Sequence, residues 1–185
     1  VLTDSQQQVK RVISHPELLP ACVILDPLLT RGLPPALTAA TGMDALTHHI
    51  EAFCSPLYHP MSSAIAVEGM RLVQQHLRRA VSHGQDLDAR EGMLVASAMA
   101  AVAFQKGLGG VHALAHPLGA RYHRHHGLLN AVLLPYVLVA NQPVIAEEIG
   151  RLARYLDLPR GDFQGFLDWI CLLYTSDAAD DLLCV

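Results

Sequence analysis

Charge is scarce in this chain. Of its 185 residues, 16% are Asp, Glu, Lys or Arg, and 13 basic against 17 acidic side chains leave a formal net charge of -4. No basic field exists to hold a polyanion, which argues against a nucleic-acid partner. Cysteine is sparse as well. Cys22, Cys54, Cys171 and Cys184 form neither a CxxC pair nor the density of a disulfide scaffold, which predicts a reducing, cytoplasmic setting. No apolar secretory segment opens the sequence, and because it starts at Val1 the expectation is that the natural N-terminus lies further upstream.

Long uninterrupted apolar runs are lacking too. The stretch 127–146 has the length to cross a bilayer, but Asn130, Pro135, Asn141, Gln142 and Pro143 break it up. It predicts a buried helix and no membrane partner. GxGxxG, Walker spacing, a nucleophile elbow, a Ser-His-Asp order and paired catalytic carboxylates are all missing, so hydrolysis by an activated nucleophile has little support.

What the chain does have is 51% hydrophobic residues, ample for one core, and 11 histidines, five of them between His112 and His126. Histidine is where chemistry is to be sought.

Before Pro27, short apolar runs at Lys10–Ile13 and Ala21–Leu25 read as two edge strands left over from something larger. From Leu33 on, Ala, Leu, Met, Glu and Gln with three-to-four-residue apolar spacing predict helices at about 34–54, 61–83, 88–106, 110–121, 126–141 and 143–157. Pro34, Pro35, Pro60 and Pro143 suit helix starts, while Gly84 and Gly107 are expected to take the positive φ of a helix end. Ala98–Ala103 contains only Ala, Met and Val and is expected to run through the middle of a bundle. The final stretch, CLLYTSDAADDLLCV from Cys171 to Val185, resembles a translated sequencing-library adapter and is set aside as a non-native tail.

Asp44 and His48 are four residues apart in a predicted helix, so both project from one face as a two-ligand metal clip. His112 and His116 repeat that spacing, and His126 opens the next helix. A carboxylate and three imidazoles from separate helices can converge on one divalent cation and leave open positions. Singly, each histidine reads as a surface or hydrogen-bonded core residue. Jointly, His48, His112 and His116 lie in apolar segments where an unpartnered imidazole is costly. His49, His123 and His125 compete for the same roles; periodicity makes His49 a flanking, structural residue.

Glu51 lies near one turn beyond His48 and either orients a ligand or faces solvent. Gly107–Gly110 precedes a helix and reads as a tight turn, with anion binding at the helix start as the other reading. Lys10 is an edge-strand charge or a contact to a polar or anionic ligand at a domain boundary.

TGMDALTHHIEAF (Thr41–Phe53) and GLGGVHALAHPLGARYHRHHG (Gly107–Gly127) resemble the two signature regions of the iron-containing alcohol dehydrogenase family, and ILDPLLTRGLPPALTAATG (Ile24–Gly42) resembles its lead-in. The similarity covers about residues 1–160, the second half of a typical member. His49 stands where the family has a small residue, and His125 where it often has Pro.

The resemblance implies a mainly α fold: an all-helical metal-binding domain over 28–170, preceded at 1–27 by the end of an α/β dinucleotide-binding domain, with 171–185 as the tail. It implies Asp44, His48, His112 and His126 as metal ligands, His116 as a catalytic and cofactor-side residue, and Lys10 and Leu37 as cofactor contacts. It further implies Fe2+, with Zn2+ as the alternative, NAD(P), a small alcohol or carbonyl substrate, and a homo-oligomer when complete. Hydride transfer is the expected reaction. A hydroxyacid-oxoacid transhydrogenase, a maleylacetate reductase, or a non-catalytic helical metal-binding module are the rival readings. Without the family's N-terminal half, the chain alone is expected to be inactive.

Overall fold

The computed structural model describes residues 2–4 and 6–175. Six helices dominate: α1 (Pro35–Cys54), α2 (Pro60–Ser82), α3 (Leu87–Ala103), α4 (Gly110–Tyr122), α5 (His126–Tyr155) and α6 (Phe163–Thr175). Ahead of them lies an antiparallel hairpin, β1 (Leu2–Asp4) and β2 (Val9–Arg11), in which Thr3 faces Lys10. The fold is mainly α, as the sequence pattern predicts.

Local chemistry sets the helix starts. Pro34 and Pro35 open α1, and a proline's fixed φ and missing N–H suit a first turn. Pro60 opens α2, where the His59 imidazole accepts the Ser62 N–H at 3.1 Å. Asp86 caps α3 by accepting the Ala89 N–H at 3.0 Å. After a short 3-10 turn at Phe104–Lys106, Gly107 takes φ +137, and the chain swings through 108° into α4. Only a glycine adopts that backbone readily.

One apolar core joins the helices. Leu46 and Ile50 of α1 meet Met70, Val73 and Leu77 of α2, Leu134, Ile149 and Leu152 of α5, and Phe166 and Ile170 of α6. Burying each such side chain contributes about 1.5–3 kcal/mol. α3 packs chiefly on α2 and also touches α1, α4 leans on α5 and β2, and α5 runs between α1 and α6.

Several sequence expectations change. Ala21–Leu25 is not a strand; β2 pairs instead with Leu2–Asp4, because a nearby segment joined by a short turn closes more readily. The two helices expected at 126–141 and 143–157 are one, with Pro135 and Pro143 inside it. Its inward stripe, Leu134, Leu138, Ile145, Ile149 and Leu152, continues past Pro143, whose side chain sits on the exposed face, so core packing outweighs the lost backbone bond. That helix is long and apolar enough to span a membrane, yet it is buried along one stripe only, with Tyr136, Val139 and Val144 exposed. Ala98–Ala103 does not run through the middle either: Ala100 and Ala103 are buried, but Ala101 and Val102 face outward.

Gly84 has no positive φ; among the described glycines only Gly107 does. α6 was not foreseen. Its buried Phe163, Phe166 and Ile170 pack against α5, and it continues through Thr175, five residues into the stretch set aside as tail. The rest of that stretch, 176–185, lies outside the described residues.

Candidate metal centre

Three helices deliver the polar residues to one place. α1 supplies Asp44 and His48, one turn apart, with the His48 Nδ1 3.8 Å from Asp44 Oδ1. α4 supplies His112 in its first turn, and α5 supplies His126 as its first residue. The Nε2 atoms of His112 and His126 each lie 3.6 Å from the same Asp44 Oδ1. The His48 and His112 rings are 4.4 Å apart between centroids, and those of His112 and His126 are 5.3 Å apart.

Two backbone features bring these helix ends together. Between α4 and α5 only three residues intervene; His123 takes the left-handed conformation at φ 52, and the exposed His125 caps α5 by accepting the Leu128 N–H. This resolves the competition among neighbours: His123 and His125 shape the turn, and His126 points inward. At Gly127 the start of α5 touches the backbone of α1, where any Cβ would stand 2.2 Å from the Ala40 carbonyl oxygen.

Glu51 is the anchor behind His112. Its carboxylate accepts the His112 Nδ1–H at 2.6 Å and the Val111 N–H at 2.7 Å. The α4 start therefore does receive an anion, and that anion is the protein's own side chain. Gly109 leaves it room, since a Cβ there would come within 3.0 Å of Glu51 Oε1. With Nδ1 committed to Glu51, the His112 Nε2 is aimed at Asp44. A carboxylate that holds one ring nitrogen and turns the other toward a shared centre is the usual support of a metal-bound imidazole.

The electrostatics show a site rich in negative charge. Burial alone would raise the Asp44 and Glu51 carboxyls, but the neighbouring imidazoles, with backbone amides at Glu51, hold both below their ordinary values. Burial would pull His112 down, yet the two carboxylates outweigh it and push it up to about 9. His126 falls to about 4 and His48 also falls, each because burial outweighs the attraction of Asp44. One imidazole thus serves as the counter-charge to two carboxylates, the buried Glu51 and the partly buried Asp44. A divalent cation fits this donor set better than a proton does: carboxylate oxygen plus imidazole nitrogen is borderline chemistry suited to Fe2+ or Zn2+.

The remaining candidates sit around this centre. His116 is half-buried, its ring 5.8 Å from that of His112 and 5.2 Å from that of His126. Burial and the Lys10 charge both lower it. Lys10, on β2, is near enough that its charge also depresses His126. Leu37 shares the Asp44–His48 face of α1, two turns earlier, and is 38% exposed. His49 turns the other way and donates its Nε2–H to the Ala96 carbonyl at 2.9 Å, a structural role.

One buried polar residue escaped the sequence reading. Asn130, a turn past His126, brings its Nδ2 to 2.5 Å from Asp44 Oδ1, 3.1 Å from His112 Nε2 and 3.2 Å from His126 Nε2. Its spacing of four from a candidate ligand in an apolar helix was the available signal.

Residues 38–175 match the model of the C-terminal part of the Fe-containing alcohol dehydrogenase family. The chain belongs to this family. As a member of the iron-containing alcohol dehydrogenase family, it is 48% identical over 153 residues to the 4-hydroxybutyrate dehydrogenase of Cupriavidus necator, covering 78% of this chain and 40% of that one. It is 49% identical over 152 residues to the 1,3-propanediol dehydrogenase of Klebsiella pneumoniae, covering 80% and 39%. The crystal structure of a sulfoacetaldehyde reductase from Bifidobacterium kashiwanohense, solved with NAD+, superposes with a TM-score of 0.75 at 31% identity, over 83% of this chain and 41% of that one. The chain spans about 40% of the length of the curated relatives it matches.

Proposed function

We propose that the complete protein is a metal-dependent oxidoreductase that moves a hydride between a nicotinamide cofactor and a small alcohol or its carbonyl counterpart. The observation that carries this reading is the convergence of one carboxylate oxygen, Asp44 Oδ1, with three imidazole nitrogens at 3.6–3.8 Å. Asp44, His48, His112 and His126 hold the cation, Fe2+ in this reading with Zn2+ as the alternative. When bound, the cation supplies a Lewis acid for the oxygen of the alcohol or carbonyl.

The chain's own residues do the rest. Glu51 keeps the His112 ring in one orientation through the 2.6 Å hydrogen bond at Nδ1. His116, which burial and the Lys10 charge hold below the ordinary imidazole value, lies half-buried beside the centre and receives or returns the alcohol proton. Lys10 and Leu37 flank the side on which a nicotinamide cofactor, NAD or NADP, approaches. The relative crystallised with NAD+ supports that class of cofactor. The buried aliphatic surroundings of α1, α4 and α5 limit water and strengthen the fixed charges.

In this reading residues 1–27 finish an α/β dinucleotide-binding domain, 28–170 form the helical metal-binding domain, and 171–185 are not native. The complete protein acts as a cytoplasmic homo-oligomer, and this chain alone is inactive. Loading the 185-residue chain with Fe2+ under anaerobic conditions, or with Zn2+, should leave about one ion per chain after gel filtration. No retained metal overturns the reading. In the complete reading frame, a panel of alcohols and aldehydes with NAD(H) and NADP(H) should give turnover by nicotinamide absorbance. Stoichiometric metal without any turnover points instead to a metal-binding module.

A further inference from the structure

Asn130 is completely buried, at 0% exposure, in a helix whose inward positions are otherwise almost all apolar. Its amide is used unevenly. Nδ2 donates to Asp44 Oδ1 at 2.5 Å and stands 3.1 Å from His112 Nε2 and 3.2 Å from His126 Nε2, so it touches one atom from each of α1, α4 and α5. Oδ1, at the other end of the same amide, is buried with no partner among the described residues.

A buried amide oxygen left unpaired is unfavourable, and an aliphatic side chain would fill the same space without that penalty. Packing alone therefore does not account for an asparagine. A carboxamide nitrogen has two hydrogens, too few for three neighbours. One hydrogen goes to Asp44 and the other faces the imidazoles, so the nitrogen draws the three atoms together without fully satisfying them.

We infer that Asn130 is a positioning residue of the metal centre: its amide nitrogen donates to Asp44 Oδ1 and fixes the rotamer of that carboxylate, while its contacts to the His112 and His126 Nε2 atoms mark where a cation takes over those two lone pairs. This rests on the metal-centre reading given above. Side chains that orient ligands without binding the ion typically change metal affinity 10–100-fold when removed, which is about the effect expected here.

The test uses Co2+ and the 185-residue chain. Its d–d absorption reports coordination directly, with no need for turnover. Asn130→Ala should bind Co2+ about 10–100-fold more weakly, with an altered d–d band because Asp44 is no longer held. An unchanged Kd and band, with metal-free and Co2+-loaded melting temperatures lowered equally, assigns Asn130 to packing and overturns the inference.

Asn130→Asp keeps the shape but sets a second anion against Asp44. It should melt lower than the unsubstituted chain without metal and gain more from Co2+. If Asn130→Ala does not fold, this variant decides, and a Co2+-induced rise equal to or below that of the unsubstituted chain overturns the inference. Failure of the underlying reading looks different: the unsubstituted chain itself then shows no Co2+ d–d band.

Discussion

His48 and His49 are neighbours on α1 that serve two unlike regions. His49 enters the seam between α1, α2 and α3, fully buried, with a single hydrogen bond to the Ala96 carbonyl and with its ring against Gly69, where a Cβ would come within 2.0 Å. Burial pulls it down to about 4. His48 faces the opposite side, where α1, α4 and α5 meet, among Asp44, His112 and His126. The seam satisfies a polar group once and closes around it. It leaves the His49 Nδ1 buried without a partner among the described residues, whereas the centre brings a carboxylate oxygen and imidazole nitrogens from three helices to one point, and that convergence distinguishes it from a buried histidine.

The largest effect that can break this contrast is at His112. His112→Ala removes a donor and strands the Glu51 carboxylate, so metal should be lost entirely on gel filtration. Stoichiometric metal in that variant would mean the two regions do not differ as described. Glu51→Gln keeps the size but weakens the hold on His112 Nδ1 and on the α4 start. Competition with a colorimetric chelator should show Zn2+ affinity reduced about 10–100-fold.

The seam should behave oppositely. Gly69→Ala forces a methyl into the His49 ring and should cost about 1–3 kcal/mol in denaturant unfolding, with Zn2+ affinity unchanged. A change in affinity would show that the seam and the centre are mechanically coupled. The smallest effect concerns thiols. Burial pushes the Cys54 thiol up to about 12, whereas Cys22 is exposed, so iodoacetamide at neutral pH should modify Cys22 well before Cys54 by peptide mass spectrometry.

Much of the helical frame was legible in the sequence because α1 to α4 carry local signals: prolines at the starts of α1 and α2, Asp86 at the cap of α3, and glycines before α4. The break assumed at Pro143 was wrong because a buried stripe extends beyond it. α6 was missed because part of it was set aside as tail. For the centre, the four-residue spacing of Asp44 and His48 and the nearness of His112 to His126 were visible. The pairing of Glu51 with Val111 was not, since it joins residues 60 positions apart, and nothing local marks an anion for delivery to the α4 start. Spacing alone left His125 and His126 in competition; the family resemblance chose His126, and the turn geometry gives the physical reason, with one at the cap and the other inside.

Gly127 acts as a caliper. Metal–ligand distances tolerate errors of only about 0.2 Å, while a methyl group at this position would overlap the Ala40 carbonyl and push the α5 start away from α1 by several times that amount. The spacing between Asp44 on one helix and His126 on the other is thus set by a hydrogen atom beside the proposed ligand, and the absence of a side chain at 127 limits the centre as firmly as the presence of one at 126.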